Sequence, residues 1–163
     1  MEKRSMALNF EIQTEQEFDP ETAMLVNAAK QATDNSYAPY SGFSVGAALL
    51  LEDGSIVTGC NQENAAFPSG LCAERTALFA AGASHPDKAV RAMAIAARDS
   101  HGFTASPVTP CGACRQVIAE TSSRYRRPIR LTMYGTSHSI TVDNAADTLL
   151  PFRFGDLMDG QER

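Results

Sequence analysis

Two short cysteine motifs constrain this chain more than any other feature: Cys72-Ala73-Glu74 and, well downstream, Pro110-Cys111-Gly112-Ala113-Cys114. Cys111 and Cys114 are three residues apart, so on a helix they share a face and can grip one ion. A third thiol must then be delivered by a separate segment, which ties two distant parts of the chain to one point. Catalytic zinc keeps three protein ligands and leaves a fourth position to water, whereas structural zinc closes its tetrahedron with a fourth side chain. Three cysteines and a non-ligand glutamate therefore read as chemistry. Taken alone, Cys111-x-x-Cys114 reads as a redox pair or half a zinc ribbon. Cys60 as a fourth ligand would close the site and give a non-enzymatic zinc module.

Composition narrows the substrate. At 163 residues, with 44% apolar and 20% charged residues, the chain is expected to form one globular domain, residues 1–163, with 1–19 as an amino-terminal extension. The net charge of -5 and pI near 5.1 offer no attraction to a polyanion, so no nucleic-acid partner is expected. Arg124, Arg126, Arg127 and Arg130 around Tyr125 read as a solvated face. A polynucleotide-editing enzyme would need a basic groove that this balance does not supply. The amino terminus lacks the apolar core of a signal peptide, and the longest apolar run, Val45 to Leu51, is too short to span a bilayer. A cytoplasmic protein with no membrane partner is the expectation, its cysteines serving as ligands or free thiols. His85, His101 and His138 have no ligand-like spacing.

Patterning predicts an α/β sandwich around one mixed sheet. A helix is expected from Pro20 to about Asn35, with Pro near its start and acids in its first turn. Residues 43–51 and 55–59 are β-type runs joined by Glu52-Asp53-Gly54, a hairpin signal. Helices are expected over 72–81 and 111–121, and strands over 90–97, 128–134 and 139–142. Asp143 or Asn144 should cap a short helix ending before Pro151. Both cysteine motifs then lie at helix amino termini, where the positive dipole end favours thiolate. Cys72 should precede its helix, because two residues along a helix rotate a side chain by roughly 200 degrees and would part it from Glu74. Three thiolates leave a divalent ion net negative, so cations are needed nearby. Arg75 and Arg115 follow Cys72 and Cys111 at helical spacing, and each is expected to donate toward the sulfur of its own motif.

A Cys or His, then x-Glu, followed by Pro-Cys-x-x-Cys, is the signature of the zinc nucleoside and nucleobase deaminases. The chain resembles the small homotetrameric cytidine deaminases in their all-cysteine form, from about Ala28 through Phe154. Besides the ligand motifs, Tyr37-Ala38-Pro39-Tyr40-Ser41-Gly42-Phe43-Ser44-Val45-Gly46-Ala47 is similar to that family's first-strand segment, and Gly59-Cys60-Asn61-Gln62-Glu63-Asn64-Ala65 to its ribose-binding segment. The resemblance implies a three-layer sandwich with a mixed five-stranded sheet, one zinc per subunit on Cys72, Cys111 and Cys114, and Glu74 as proton shuttle. It implies hydrolytic deamination of cytidine and deoxycytidine in pyrimidine salvage. The Ala73 N–H would bind the base carbonyl, Asn61 and Glu63 the ribose 3'-hydroxyl, and Phe43 would lie against the nucleoside. Phe154 would stack on the base from a neighbouring subunit, making the site a property of a homotetramer. From pattern alone, Phe43 and Phe154 would ordinarily be core residues, and Asn61 and Glu63 a strand-end turn and a solvated charge.

The chain departs from the family at Phe67, commonly a tyrosine whose hydroxyl helps bind the substrate's 5'-hydroxyl across a subunit boundary. Phe67 keeps the ring and loses that donor, a loss of about 0.5 to 1.5 kcal/mol for one net hydrogen bond. Residues 99–109 also run longer than in many relatives, and the first twenty or so are additional.

Overall fold

The computed structural model describes residues 1–155. Its framework is a mixed sheet of β1 (Glu11–Gln13), β2 (Ser44–Leu51), β3 (Ile56–Cys60), β4 (Val90–Asp99), β5 (Gly102–Phe103), β6 (Arg130–Met133) and β7 (Ser139–Val142). The strand order is β1-β7-β6-β4-β2-β3, with β5 paired to β4. Only β4 and β6 run parallel; the remaining pairs are antiparallel. The sheet thus has seven strands rather than the expected five. The five predicted strands are all present, and β1 and β5 extend them. β1 comes from the amino-terminal extension and pairs Ile12 with Ile140 on β7. It is only three residues long and fully or partly exposed, so it carries no apolar alternation to read in advance.

Helices α1 (Pro20–Ala32), α2 (Ala73–Ser84), α3 (Gly112–Tyr125) and the short α4 (Ala145–Leu149) complete the fold. Alternate residues of a strand point to opposite faces, and both faces of the central strands are buried. Ala48, Leu50, Ala92, Ala94 and Ala96 meet Leu25, Val26 and Ala29 of α1. On the other face Leu49, Leu51, Met93, Ile95 and Leu131 pack with Ala77 and Leu78 of α2 and Ile118 of α3. The result is three layers, helix on sheet on helix. Asp19 caps α1 by accepting from Thr22 N at 2.7 Å. Asn144 caps α4 through Asp147 N at 3.3 Å.

One glycine sets the height of the functional helix above the sheet. A Cβ on Gly59 of β3 would stand 2.4 Å from Ala77 N and 2.9 Å from Ala73 O, both backbone atoms of α2. Only a residue without Cβ lets α2 descend so close to β3. No helix of the described residues is long and apolar enough to cross a membrane.

Candidate active site

Cys72 and Cys111 are the N-cap residues of α2 and α3, each extended (ψ 155° and 168°) just before its helix begins. Their carbonyls accept the first helical bonds, from Thr76 N at 3.0 Å and Arg115 N at 2.9 Å. The two helix starts converge, so Cys72 Sγ lies 3.8 Å from Cys111 Sγ, which lies 3.5 Å from Cys114 Sγ. All three sulfurs fall within 4.8 Å of one another, the one such cluster of potential ligands among the described residues. Tetrahedral zinc with Zn–S bonds of about 2.3 Å separates its sulfurs by about 3.8 Å, so the donor set fits that ion. Cys60 stands apart: its thiol donates to Asn35 O at 3.1 Å and accepts from Gln62 Nε2 at 3.2 Å. A closed four-cysteine site has no support in this arrangement.

Cys72 is held down to about 5, first by the hydrogen bond from the Cys114 thiol and then, against burial, by the Arg75 guanidinium. Cys114 is raised, foremost because its thiol proton is shared with Cys72. Arg75 Nη2 donates to Cys72 Sγ at 3.9 Å, as its spacing predicts. Arg115 does not follow that prediction. Its Nε donates to Pro110 O at 2.8 Å and its Nη1 to Leu149 O at 3.1 Å. Arg115 thereby braces the loop carrying Cys111 against the carboxy-terminal segment.

Glu74, on the first turn of α2, is only 5% exposed. Burial pushes its carboxyl up; a backbone N–H counters this, and the charge of Cys72 adds to the rise. Ala73, fully buried, opens α2, where the first N–H groups have no helical partner. Cys72, Ala73, Glu74 and Cys111 form one side of a cavity of about 670 Å³, with Phe43, Asn61, Glu63 and Phe67 elsewhere on its wall. A cavity of this size accommodates a small organic molecule.

The wall residues are not all free to bind. Asn61 Oδ1 accepts from Ser36 Oγ at 2.6 Å and Val45 N at 2.8 Å, while Nδ2 donates to Phe43 O at 2.8 Å. One N–H donor remains for a ligand. Glu63 Oε2 accepts from Tyr40 N at 2.8 Å and Ser41 N at 3.3 Å. The Ser41 hydroxyl, followed by the Tyr40 N–H, holds the Glu63 carboxyl below its usual range. Phe67 borders the cavity of its own chain, where its ring meets Tyr40 edge-on with centroids 5.6 Å apart. Tyr40, within the segment similar to the family's first strand, lines the same cavity. Phe154 is absent from this lining and 84% exposed, so it packs in neither the core nor its own chain's cavity.

Residues 20–127 match the family described as the cytidine and deoxycytidylate deaminase zinc-binding region. A cytidine deaminase of Halalkalibacterium halodurans is 45% identical over 131 residues, 80% of this chain and 92% of that relative. Another, from Sporosarcina psychrophila, is 53% identical over 96 residues, 59% of this chain and 66% of that relative. The crystal structure of cytidine deaminase from Burkholderia pseudomallei superposes with a TM-score of 0.67 at 38% identity, covering 80% of this chain and 97% of that one. That from Mycobacterium tuberculosis gives 0.63 at 34%, covering 84% and 99%. The match takes in both cysteine motifs and the helices that present them, and the chain belongs to the cytidine and deoxycytidylate deaminase family with its zinc-binding region.

Proposed function

We propose that this protein is a cytoplasmic zinc hydrolase that converts cytidine and deoxycytidine to uridine and deoxyuridine, releasing ammonia, in pyrimidine salvage. The observation that carries the reading is the buried Glu74 carboxyl, which lines the same cavity as Cys72 and Cys111, two thiols of the three-cysteine cluster. Cys72, Cys111 and Cys114 would hold the zinc, which when bound supplies a Lewis acid that makes water acidic near neutral pH.

The rest of the mechanism belongs to the chain's own residues. Glu74 takes a proton from the attacking water and delivers it to N3 of cytosine while the water oxygen adds to C4. It then carries the second proton of that water to the exocyclic nitrogen, so that ammonia leaves and the C4 carbonyl forms. The Ala73 N–H holds the base carbonyl, and the remaining Asn61 donor and the Glu63 carboxylate hold the ribose 3'-hydroxyl. Phe43 supports the nucleoside from one side. Phe67 offers an apolar wall without a hydroxyl, so discrimination at the 5' position should be weak. Phe154 reaches a neighbouring copy's site, and the working form is a homotetramer.

A deamination assay across cytidine, deoxycytidine, cytosine, adenosine and short oligonucleotides tests the substrate class. Activity on the two nucleosides alone is expected. In the same assay, zinc-loaded Glu74→Gln should lose at least about a hundredfold in kcat, the usual share of a positioned acid–base group. A fully active Glu74→Gln enzyme would refute the shuttle.

A further inference from the structure

We propose that Gln116 is a positioning residue: its carboxamide clasps the backbone of Phe154 and aims that ring at the active site of a second copy of this chain. The inference rests on the reading that Phe154 completes a neighbouring site. Gln116 Nε2 donates to Phe154 O at 3.0 Å, and Phe154 N donates to Gln116 Oε1 at 3.2 Å. A primary carboxamide sets an N–H of its amino group beside its carbonyl oxygen, so it pairs with the C=O and N–H of one residue as a strand neighbour does. Both groups of Phe154 are thereby fixed while its ring stays exposed. Nothing else about an exposed phenylalanine calls for a two-bond grip on its main chain.

The surrounding geometry extends the grip. Gln116 lies two residues beyond Cys114, on the α3 turn whose Arg115 holds Leu149 O at 3.1 Å. Arg153 pairs with Asp147 at 2.8 Å. Gly155 has φ +112°, a conformation that side chains rarely adopt, and turns the chain immediately after Phe154. One turn of α3 therefore carries a thiol of the metal cluster on one side and the anchor of the aromatic tail on the other. A ring meant for another copy's site is placed by the helix that builds its own.

The chain has no tryptophan, so Phe154→Trp introduces a single reporter at the ring itself. Uridine added to zinc-loaded Phe154→Trp should shift the emission, and adding Gln116→Leu should remove that shift. With Phe154 intact, Gln116→Leu should raise KM for cytidine roughly tenfold, the effect of two modest hydrogen bonds, with kcat and zinc content preserved. Gln116→Glu keeps the acceptor and side-chain length, so it should fall between the two and serves if the leucine variant folds poorly. Unchanged KM and an unchanged uridine shift in both variants would overturn the role, as would a loss of kcat that merely tracks lost zinc. If Phe154→Trp ignores uridine with Gln116 present and Phe154→Ala keeps the parent KM, the shared-site reading itself fails and the clasp falls with it.

Discussion

Asn61 lines the cavity and at the same time holds its surroundings together. Its carboxamide ties Ser36, Val45 and Phe43 together, joining the start of β2 to the segment that follows β3. Three net hydrogen bonds of about 0.5 to 1.5 kcal/mol each suggest that Asn61→Ala costs about 2 to 4 kcal/mol of stability. Urea midpoints of the zinc-loaded protein check this. A risen KM with an unchanged midpoint would reduce Asn61 to a ribose contact alone. None of this was legible beforehand, because the partners lie 16 to 25 residues away and hydrogen bonding has no sequence period. Arg115 failed for a related reason. Spacing places a side chain on the right turn of a helix but does not choose between a sulfur and a carbonyl. The sulfurs themselves were legible, since N-cap placement and i, i+3 spacing leave their positions little freedom.

Elements were easier to read than side chains wherever they bury an apolar run. β2, β4 and the hairpin to β3 followed from continuous hydrophobic stretches and Asp53-Gly54, whereas β1 and β5 exist only because a neighbouring strand supplies their pairing. α2 is held to the sheet by contact that no propensity records. In Gly59→Ala, the added Cβ would meet Ala77 N at 2.4 Å and force α2 outward. Overpacking of this kind costs about 1 to 3 kcal/mol. Since α2 begins at Cys72, zinc content should fall along with Tm; a variant that keeps both would show that the close approach is dispensable. α1 depends instead on its cap. Thr22 N–H, and behind it Arg130, hold the Asp19 carboxyl below its usual range. A depressed folded-state pKa gives stability that is present above the unfolded value of about 3.9 and lost as pH falls through the folded one. Asp19→Ala should therefore cost about 1 kcal/mol at pH near 7 and progressively less under acid. A gap between parent and variant that stayed constant on acidification would assign the effect to something other than the cap's charge.

At the scale of the whole molecule, the cavity and the ring proposed to close it are on different parts of the surface. Phe154 is clasped by α3 with its ring in solvent, and the cavity formed by Cys72, Glu74, Phe43 and Phe67 has no carboxy-terminal aromatic from its own chain. The division was legible in the sequence only through resemblance, since periodicity alone would have put Phe154 in a core. It makes a prediction that no single-chain arrangement shares. Glu74→Gln removes the proton carrier of one chain's cavity but leaves that chain's Phe154 able to serve a neighbour. Phe154→Ala does the reverse. When the two variants are unfolded, mixed in equal amounts and reassembled with zinc, random association gives about a quarter of the sites an intact Glu74 and an intact Phe154 from different chains. Specific activity should then exceed the average of the two separately reassembled variants and rise toward about a quarter of the parent's, with the low KM of the parent. If each chain worked alone, mixing would give only that average, with the KM of Phe154→Ala, however long the chains were allowed to exchange.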